Sequence, residues 1–214
     1  MEILTATQKK LLEHLANLEF AKDFVFTGGT ALAALYLHHR YSDDLDFFTT
    51  SIPALTLVPD QIQLLAQKWG FRCEFTRTQQ TFVECFLENP EGEHIEMDFA
   101  VDAPFRFEPP GYHEGLRWHV ENKVDLACNK LSALFDRANA KDFVDIYFIH
   151  KIYFPFDELV EKGKQKHIGL DNYWLAQACS RVREEKKLPK MILPVTHEEL
   201  VTFFEQKARE LMES

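Results

Sequence analysis

The sequence predicts an α+β protein in which a mixed sheet flanked by helices is followed by a helical C-terminal region. Short apolar runs with two-residue alternation precede residue 103, whereas apolar residues recur at helical spacing after residue 120. A loop rich in proline and glycine, residues 103–116, separates the two patterns. We therefore expect a first domain over residues 1–118 and a helical region over residues 119–214.

The first part of the chain mixes helices and strands. Leu11, Leu12 and Leu15 lie on one helical face and predict the first helix. Gly70 is expected to end a helix that begins at Pro59. In chain order, the predicted elements are a helix at 6–19, a strand at 24–26, a helix at 31–39, a strand at 44–48, a helix at 59–68, and strands near 71–77, 81–87 and 94–101.

The second part of the chain contains helical patterns and no convincing strand. The chain has 214 residues, of which 46% are hydrophobic, so it can bury one large core or two small ones. The helices predicted after residue 120 lie at 121–136, 140–151, 156–166, 171–185 and 197–212.

The charge balance limits the ways in which this chain can bind partners. A formal net charge of -10 argues against broad, charge-driven binding of nucleic acid, which requires clustered lysine and arginine. A local basic groove remains compatible with this balance, because the cations cluster in two places. The clusters are Lys123, Lys130, Arg137 and Lys141, and then Arg181, Arg183, Lys186, Lys187 and Lys190.

Neither membrane insertion nor a disulfide framework is expected. No apolar run is long enough for a transmembrane helix, and the first ten residues lack the pattern of a secretory signal. The four cysteines are widely spaced and form no CxxC pair, which is typical of reduced thiols. We expect a cytoplasmic protein with no membrane partner.

Two carboxylates on one predicted strand are the first candidate site residues. Asp44 and Asp46 are two positions apart, so strand alternation puts both side chains on one face and Leu45 and Phe47 on the other. Neighbouring carboxylates repel each other unless a cation lies between them. Mg²⁺ favours carboxylate oxygens, water and substrate phosphates, and two such ions can clamp the attacking and leaving oxygens of a phosphoryl displacement.

A third carboxylate would complete such a site. In the strand predicted at 94–101, Glu96 and Asp98 share one face, while Ile95 and Met97 share the other. We favour Asp98 as the third metal ligand and as the general base for an acceptor hydroxyl. Glu96 is the alternative, because a shift in the pleat would exchange the two residues.

A glycine turn precedes the carboxylate strand. Gly28 and Gly29 follow a predicted strand and open a predicted helix, where the backbone can approach an anion and free N–H groups attract phosphate. Thr30 can add a hydroxyl. The order of strand, Gly-Gly, helix and Asp-x-Asp strand places a phosphate cradle beside a metal pair, which transfer from a nucleoside triphosphate requires.

These motifs resemble the DNA polymerase beta-type nucleotidyltransferase superfamily. Thirteen residues separate Thr30 from Asp44, at the long end of the family's spacing. The finer pattern of Arg40, Ser42, Asp44, Asp46 and Phe47 looks like the AbiEii/AbiGii toxin branch. The resemblance implies an α/β nucleotidyltransferase fold, two Mg²⁺ ions, a nucleoside triphosphate that releases pyrophosphate, and nucleotide contacts from Arg40 and Ser42. It also implies an acceptor that is RNA, including tRNA, or protein, and a cognate antitoxin as partner.

A later set of charged residues is similar to another motif of the same toxin branch. Lys130 is followed by Arg137, and then by Lys141, Asp142 and Asp145. The resemblance implies that Lys130, Arg137 and Asp142 contact the nucleotide and that the helical region completes the cleft. The alternative is a set of salt bridges between two antiparallel helices, with Arg137 pairing with Asp142 or Asp145.

Two competing functions remain open from the sequence. A phosphatase or a glycosyltransferase can use another kind of Asp-x-Asp motif, but Phe48 occupies the position where haloacid-type phosphatases need threonine or valine. A non-catalytic nucleotide-binding or interaction module would have the same fold without transfer activity. The presence of all the expected carboxylates favours the enzyme.

Overall fold

The computed structural model of the protein describes residues 3–213 and contains two compact units. The described part of the first unit comprises residues 3–34 and 42–122, and that of the second comprises residues 35–41 and 123–213. Residues 35–41 therefore leave the first unit and belong to the second, although they lie between the glycine turn and the carboxylate strand in sequence. Nothing in the composition of this segment signals that assignment.

The first unit is built on a mixed sheet, as predicted, but the sheet has seven strands where the sequence predicts five. The two additional strands, β6 and β7, lie within and just after the segment predicted as a loop. The strand order is β3-β4-β5-β2-β1-β7-β6. Two of its strand pairs are parallel, β2 with β5 and β1 with β7, and the other pairs are antiparallel. The strands are β1 (Val25–Thr27), β2 (Leu45–Thr49), β3 (Arg72–Thr78), β4 (Phe82–Glu88), β5 (His94–Val101), β6 (Gly111–His113) and β7 (Trp118–Val120).

Strand alternation separates an aromatic core from a polar face in this sheet. Phe47 on β2 stacks on Phe99 of β5, with ring centroids 4.9 Å apart, and also packs against Trp118 of β7 at 4.9 Å. The indole Nε1 of Trp118 donates a hydrogen bond of 2.7 Å to the carbonyl oxygen of Leu12. Because these rings occupy one face of the sheet, the side chains at alternate positions point to the opposite face.

Three α-helices accompany the sheet, α1 (Ala6–Leu15), α2 (Gly28–Leu32) and α3 (Ile52–Trp69). The prediction that α3 begins at Pro59 is wrong, because the helix begins seven residues earlier. Ser51 caps its first turn by accepting a hydrogen bond of 3.2 Å from the backbone N–H of Ala54. Pro59 lies inside the helix, whereas Gly70 ends it in a left-handed conformation as predicted.

The second unit is helical, as the sequence predicts. An isolated β-bridge joins Arg40 to Met191, and backbone hydrogen bonds from Ile192 and Leu193 to the His39 carbonyl oxygen fix the segment 35–41 within this unit. No helix among residues 3–213 combines the length and the apolar character that crossing a membrane requires. The helices are α4 (Lys123–Asp136), α5 (Ala140–Ile152), α6 (Phe156–Lys166), α7 (Asn172–Ser180) and α8 (His197–Glu213).

Candidate active site

The carboxylate strand lies near the centre of the sheet in the first unit. Asp46 is on β2 and is half-buried, and Asp44 immediately precedes that strand. Leu45 and Phe47 are fully buried on the other face, so the strand has the alternation predicted from its sequence. Asp46 therefore extends from the polar face of the sheet, with β1 on one side of its strand and β5 on the other.

Asp98 lies directly opposite Asp46 in the parallel register of β2 and β5. Its Oδ1 atom is buried and accepts no hydrogen bond from any residue in the described range. Burial, followed by repulsion from Asp46 and from Glu96, raises the pKa of Asp98 to about 7. Asp98 is thus a carboxyl group whose charged form is disfavoured until a cation or a proton donor approaches it.

Glu84 is a fifth acidic residue, which the sequence reasoning missed. It lies on β4 directly opposite Asp98, and carboxylate oxygens of Glu84, Glu96 and Asp98 lie within 4.8 Å of one another. Asp46 is not part of this 4.8 Å group, although its charge contributes to the pKa of Asp98. The hairpin loop at residues 89–93 sets the register that pairs Glu84 with Asp98, and a loop shorter by one residue would pair Glu84 with Met97 instead.

Gly28 adjoins Asp46 from the other side. Thr27 is the antiparallel partner of Asp46, so the turn after β1 brings the Gly28 backbone against the Asp46 carboxylate. A Cβ atom at Gly28 would lie 1.8 Å from Asp46 Oδ2, which is a severe overlap. The φ angle of Gly28 is also +71°, which disfavours any residue with a side chain. Glycine is therefore required here for two independent reasons.

The other predicted residues of the glycine turn are more deeply buried. Gly29 and Thr30 are buried in α2, and the Thr30 Oγ1 atom has no hydrogen-bond partner within residues 3–213. Ser42 is 8% exposed and lies two residues before Asp44. These three residues lie in the first unit together with Gly28 and the carboxylates. Their contacts with nucleotide stay predictions.

Arg40 and Lys130 lie in the second unit, where both surround the carboxylate of Asp145. Arg40 donates from Nε at 2.6 Å and from Nη2 at 2.9 Å, while Lys130 Nζ is 2.9 Å from Asp145 Oδ2. His39 Nε2 contacts Asp145 Oδ1 at 2.7 Å. Burial alone would raise the pKa of Asp145, but the charges of Lys130 and Arg40 hold it well below its usual range. The segment 35–41 is thereby held on α4 and α5.

Arg137 and Asp142 form a second ion pair in this unit. Arg137 donates from Nε at 2.8 Å and from Nη2 at 2.9 Å, and the two bonds make a bidentate contact. Asp142 is fully buried and also accepts from the backbone N–H of Asn139 at the start of α5, whereas the Arg137 side chain is 47% exposed. The salt bridges weighed as the alternative in the sequence are therefore present, and nucleotide contacts from these residues stay predictions.

A carboxylate strand beside a glycine turn, on a mixed sheet followed by a helical unit, defines the class of this protein as a nucleotidyltransferase. The family model described as "Nucleotidyl transferase AbiEii toxin, Type IV TA system" matches residues 10–172, which is more than half of the chain. The chain belongs to this AbiEii family, so its substrate class is a nucleoside triphosphate.

Individual proteins resemble this chain in sequence or in fold. The uncharacterized protein aq_aa25 of Aquifex aeolicus is 26% identical over 218 residues, with 100% of both chains covered. A candidate nucleotidyltransferase from Helicobacter pylori superimposes with a TM-score of 0.59 at 20% identity, covering 98% of this chain and 96% of that one. MenT4, a nucleotidyltransferase toxin from Mycobacterium tuberculosis, gives 0.53 at 15% identity, covering 96% and 83%. At these identities the two structures establish a shared fold and no more.

Proposed function

We propose that this protein transfers a nucleoside monophosphate from a nucleoside triphosphate to a hydroxyl group of RNA, with Mg²⁺ bound by Asp44, Asp46 and Asp98. The observation that carries the proposal is the position of Asp46 between two neighbours. Asp98 lies opposite it on β5, and the Gly28 backbone lies against its carboxylate on the β1 side. The acidic residues and the first turn of α2 thus adjoin within one unit.

The carboxylates of this face fit a hard divalent cation. They supply only oxygen donors, which Mg²⁺ prefers, and the buried Oδ1 of Asp98 has no hydrogen-bond partner in the part of the chain that the structure describes. The raised pKa of Asp98 reflects burial and unbalanced negative charge, which a cation would offset. When bound, two Mg²⁺ ions would supply charge stabilisation at the attacking and leaving oxygens.

The glycine turn is the proposed phosphate site. Gly28 opens α2 beside the Asp46 carboxylate, and Gly29 and Thr30 follow it in the first turn, where free N–H groups would attract a phosphate. The Thr30 hydroxyl is a further donor without a partner among residues 3–213. We keep Ser42, and Arg40, Lys130, Arg137 and Asp142 of the second unit, as nucleotide contacts suggested by family resemblance.

Asp98 is the proposed general base of the reaction. Its carboxylate would accept the proton of the acceptor hydroxyl while the hydroxyl oxygen forms a bond to the α-phosphorus, and the bond from that phosphorus to pyrophosphate breaks. The pKa of Asp98 is about 7 in the metal-free protein, and a bound cation would lower this pKa and keep the carboxylate ionised, as a base requires. Glu84 and Glu96 raise this pKa through their charges.

The choice of RNA as acceptor and the existence of an antitoxin partner come from the family. The description of the AbiEii family names a toxin of a type IV toxin–antitoxin system, and MenT4 is described as a nucleotidyltransferase toxin. We infer that this chain also acts as a toxin and that a cognate antitoxin counteracts it. Protein is the second acceptor class, and the test below separates it from RNA.

Pyrophosphate release tests this function. We would incubate the protein with Mg²⁺, each of the four ribonucleoside triphosphates in turn, and total cellular RNA. Asp46→Asn should lower the rate by at least about 100-fold, because it removes charge from the metal site. Asp43→Asn is the matched control, because Asp43 is exposed and lies only three residues before Asp46 in sequence. This variant should retain activity.

The outcomes separate the parts of the proposal. Release that requires RNA, Mg²⁺ and Asp46 supports RNA nucleotidyl transfer and identifies the preferred base. Labelled nucleotide on protein, without an RNA requirement, would show that the acceptor is protein and not RNA. The assignment of the site residues would be unchanged. Full activity of Asp46→Asn would contradict the assignment of the carboxylates.

A further inference from the structure

One face of α7 in the second unit exposes aromatic side chains. Tyr173 is 51% exposed and Trp174 is 60% exposed, and their rings meet edge to face with centroids 5.1 Å apart. Leu175 and Cys179, on the opposite face, are fully buried. Adjacent large aromatic side chains at such exposure are a feature of binding surfaces. The exposed positions of this helix and of its C-cap residue, here called the α7 face, are Tyr173, Trp174, Gln177, Ser180 and Arg181.

The α7 face leads into a basic stretch of the chain. Residues 181–190, here called the basic segment, contain five cationic and two acidic residues, a net charge of +3. The remaining residues together carry a net charge of -13, so the basic segment is opposite in charge to the rest of the molecule. Trp174 and Arg181 are seven residues apart, which places them on one side of the helix about 10 Å from each other along its axis. The cations are Arg181, Arg183, Lys186, Lys187 and Lys190, and all are exposed.

The basic segment is anchored at two points, one on its backbone and one on the side chain of Glu185. The N–H of Tyr41 donates a hydrogen bond of 2.9 Å to the Lys190 carbonyl oxygen, and the N–H of Ala140 donates to Glu185 Oε2 at 3.1 Å. Lys186 and Lys187 lie between these two anchors, so their backbone positions are set before a ligand arrives. Binding to such a surface loses less conformational entropy than binding to a flexible tail.

A groove of about 610 Å³ runs beside the α7 face, between α7 and α8. Arg183 and Arg209 line it together with Gln177, Ser180 and Met212. The Arg183 guanidinium contacts the carboxylate of Glu205, yet its side chain is 70% exposed. Glu205 and Glu213 also line the groove, so its edges carry both charges, and it is its apolar surface that suits a nucleobase.

We propose that the α7 face and the basic segment bind a single-stranded stretch of the RNA acceptor. Phosphates would contact Lys186 and Lys187, and a base would stack on the exposed ring of Trp174. Proteins that bind single strands combine cations that follow the backbone with aromatic rings that stack bases. The charge of +3 within an acidic chain favours a polyanion over a protein surface of mixed charge. The identity of the acceptor rests on the function proposed above.

Binding of a fluorescently labelled single-stranded RNA to the full-length protein tests this surface. Lys186→Glu/Lys187→Glu should weaken binding at least about 10-fold and lower the slope of log affinity against log salt by about 1.4, because two phosphate contacts are lost. The matched control is Lys22→Glu/Lys68→Glu, which reverses two exposed charges in the first unit and should leave both quantities near wild type.

Substitutions of Trp174 test the proposed stacking of a base on its ring. Trp174→Ala should weaken binding about 5- to 100-fold, and Trp174→Phe should recover part of the affinity, because phenylalanine retains a stacking face. Tyr112→Ala is the control, since Tyr112 is 51% exposed on β6 of the first unit and should not affect binding.

The binding results are independent of catalysis. Wild-type affinity in the lysine variant, or an equal loss in its control, would overturn the proposed surface while leaving RNA-dependent pyrophosphate release intact. An affinity for a folded protein that exceeds the affinity for RNA, and that depends on the same residues, would reassign the surface to a protein partner. If no acceptor supports pyrophosphate release, the function proposed for this protein is contradicted.

Discussion

At the scale of single residues, Gly28 has the least room for change. Gly28→Ala introduces a methyl group against the Asp46 carboxylate at a backbone position with φ of +71°. We expect the unfolding free energy to fall by about 2 kcal/mol or more, from strain and overlap together. Pyrophosphate release should also be lost, because Asp46 must move. Chemical denaturation and a rate measurement check both outcomes.

The control for Gly28 is Gly92→Ala. Gly92 also has a positive φ, of +83°, but no atom lies within 4 Å of the added methyl group. This variant should show the strain without the overlap and should keep its activity. If Gly28→Ala resembles it in both stability and rate, then close contact between the turn and Asp46 is not needed.

Asp98 should make the stability of the metal-free protein depend on pH. Its pKa in the folded protein is about 7, above the value of 3.8 expected in the unfolded chain. The favourable contribution of the bound proton is therefore complete below about pH 4 and disappears as the pH rises through 7. Asp98→Asn should melt at a higher temperature than wild type at pH 8 in EDTA, and the difference should vanish near pH 4.

The measurement is thermal unfolding across this pH range with a chelator present. Glu93→Gln serves as a control because Glu93 lies at the hairpin turn and is bonded to Thr5 and Thr7, away from the acidic group. A difference between Asp98→Asn and wild type that persists unchanged at pH 4 would show that burial and repulsion do not raise the pKa of Asp98.

At the scale of elements, local pattern predicts much of the fold, whereas pairing between distant segments escapes it. Alternation around Asp46 correctly predicts which β2 side chains are buried. The sequence predicts the start of α3 too late, because Pro59 looks like the proline of a first helical turn. In the structure, Ser51 is the residue that caps this helix. The position of Glu84 beside Asp98 follows from hairpin register, which alternation alone does not provide. The assignment of residues 35–41 depends on Asp145, about a hundred residues away, so no local signal carries it.

The buried ion pair between Arg40 and Asp145 is expected to contribute strongly to stability. Arg40→Met leaves Asp145 with fewer partners at a position that is fully buried. Removal of one member of a buried pair destabilises a protein by about 3–5 kcal/mol, because the remaining charge loses its compensation. Arg72→Met, which affects an exposed pair with Glu88, should cost at most about 1 kcal/mol.

The same variant tests the predicted nucleotide contact of Arg40. Urea denaturation gives the stability change, and titration with a nucleoside triphosphate gives the affinity. Large destabilisation with unchanged affinity in the folded protein indicates a structural role. Unchanged stability with lost affinity would contradict the structural role and favour the nucleotide contact implied by family resemblance.

At the scale of the whole molecule, the two units have different charge and chemistry. The acidic group and the glycine turn belong to the first unit, whereas the basic segment belongs to the second. The net charge of -10 opposes general binding of RNA, so affinity must come from a restricted surface. An enzyme organised in this way should be selective for RNA regions that are single-stranded, and its RNA affinity should fall steeply as salt is added.

Ligand binding should stabilise the molecule only when the carboxylates and the metal are both present. At a concentration about 100 times its Kd, a ligand adds about 2.7 kcal/mol to the unfolding free energy. In a chain of this size that corresponds to a rise in Tm of about 5–10 °C. We expect Mg²⁺ with the preferred nucleoside triphosphate to produce this rise in wild type and little of it in Asp46→Asn. Differential scanning fluorimetry measures it, with EDTA and the Asp43→Asn variant as controls. An equal rise in the presence of EDTA would show that the nucleotide binds without a metal, and the acidic face would then need another explanation.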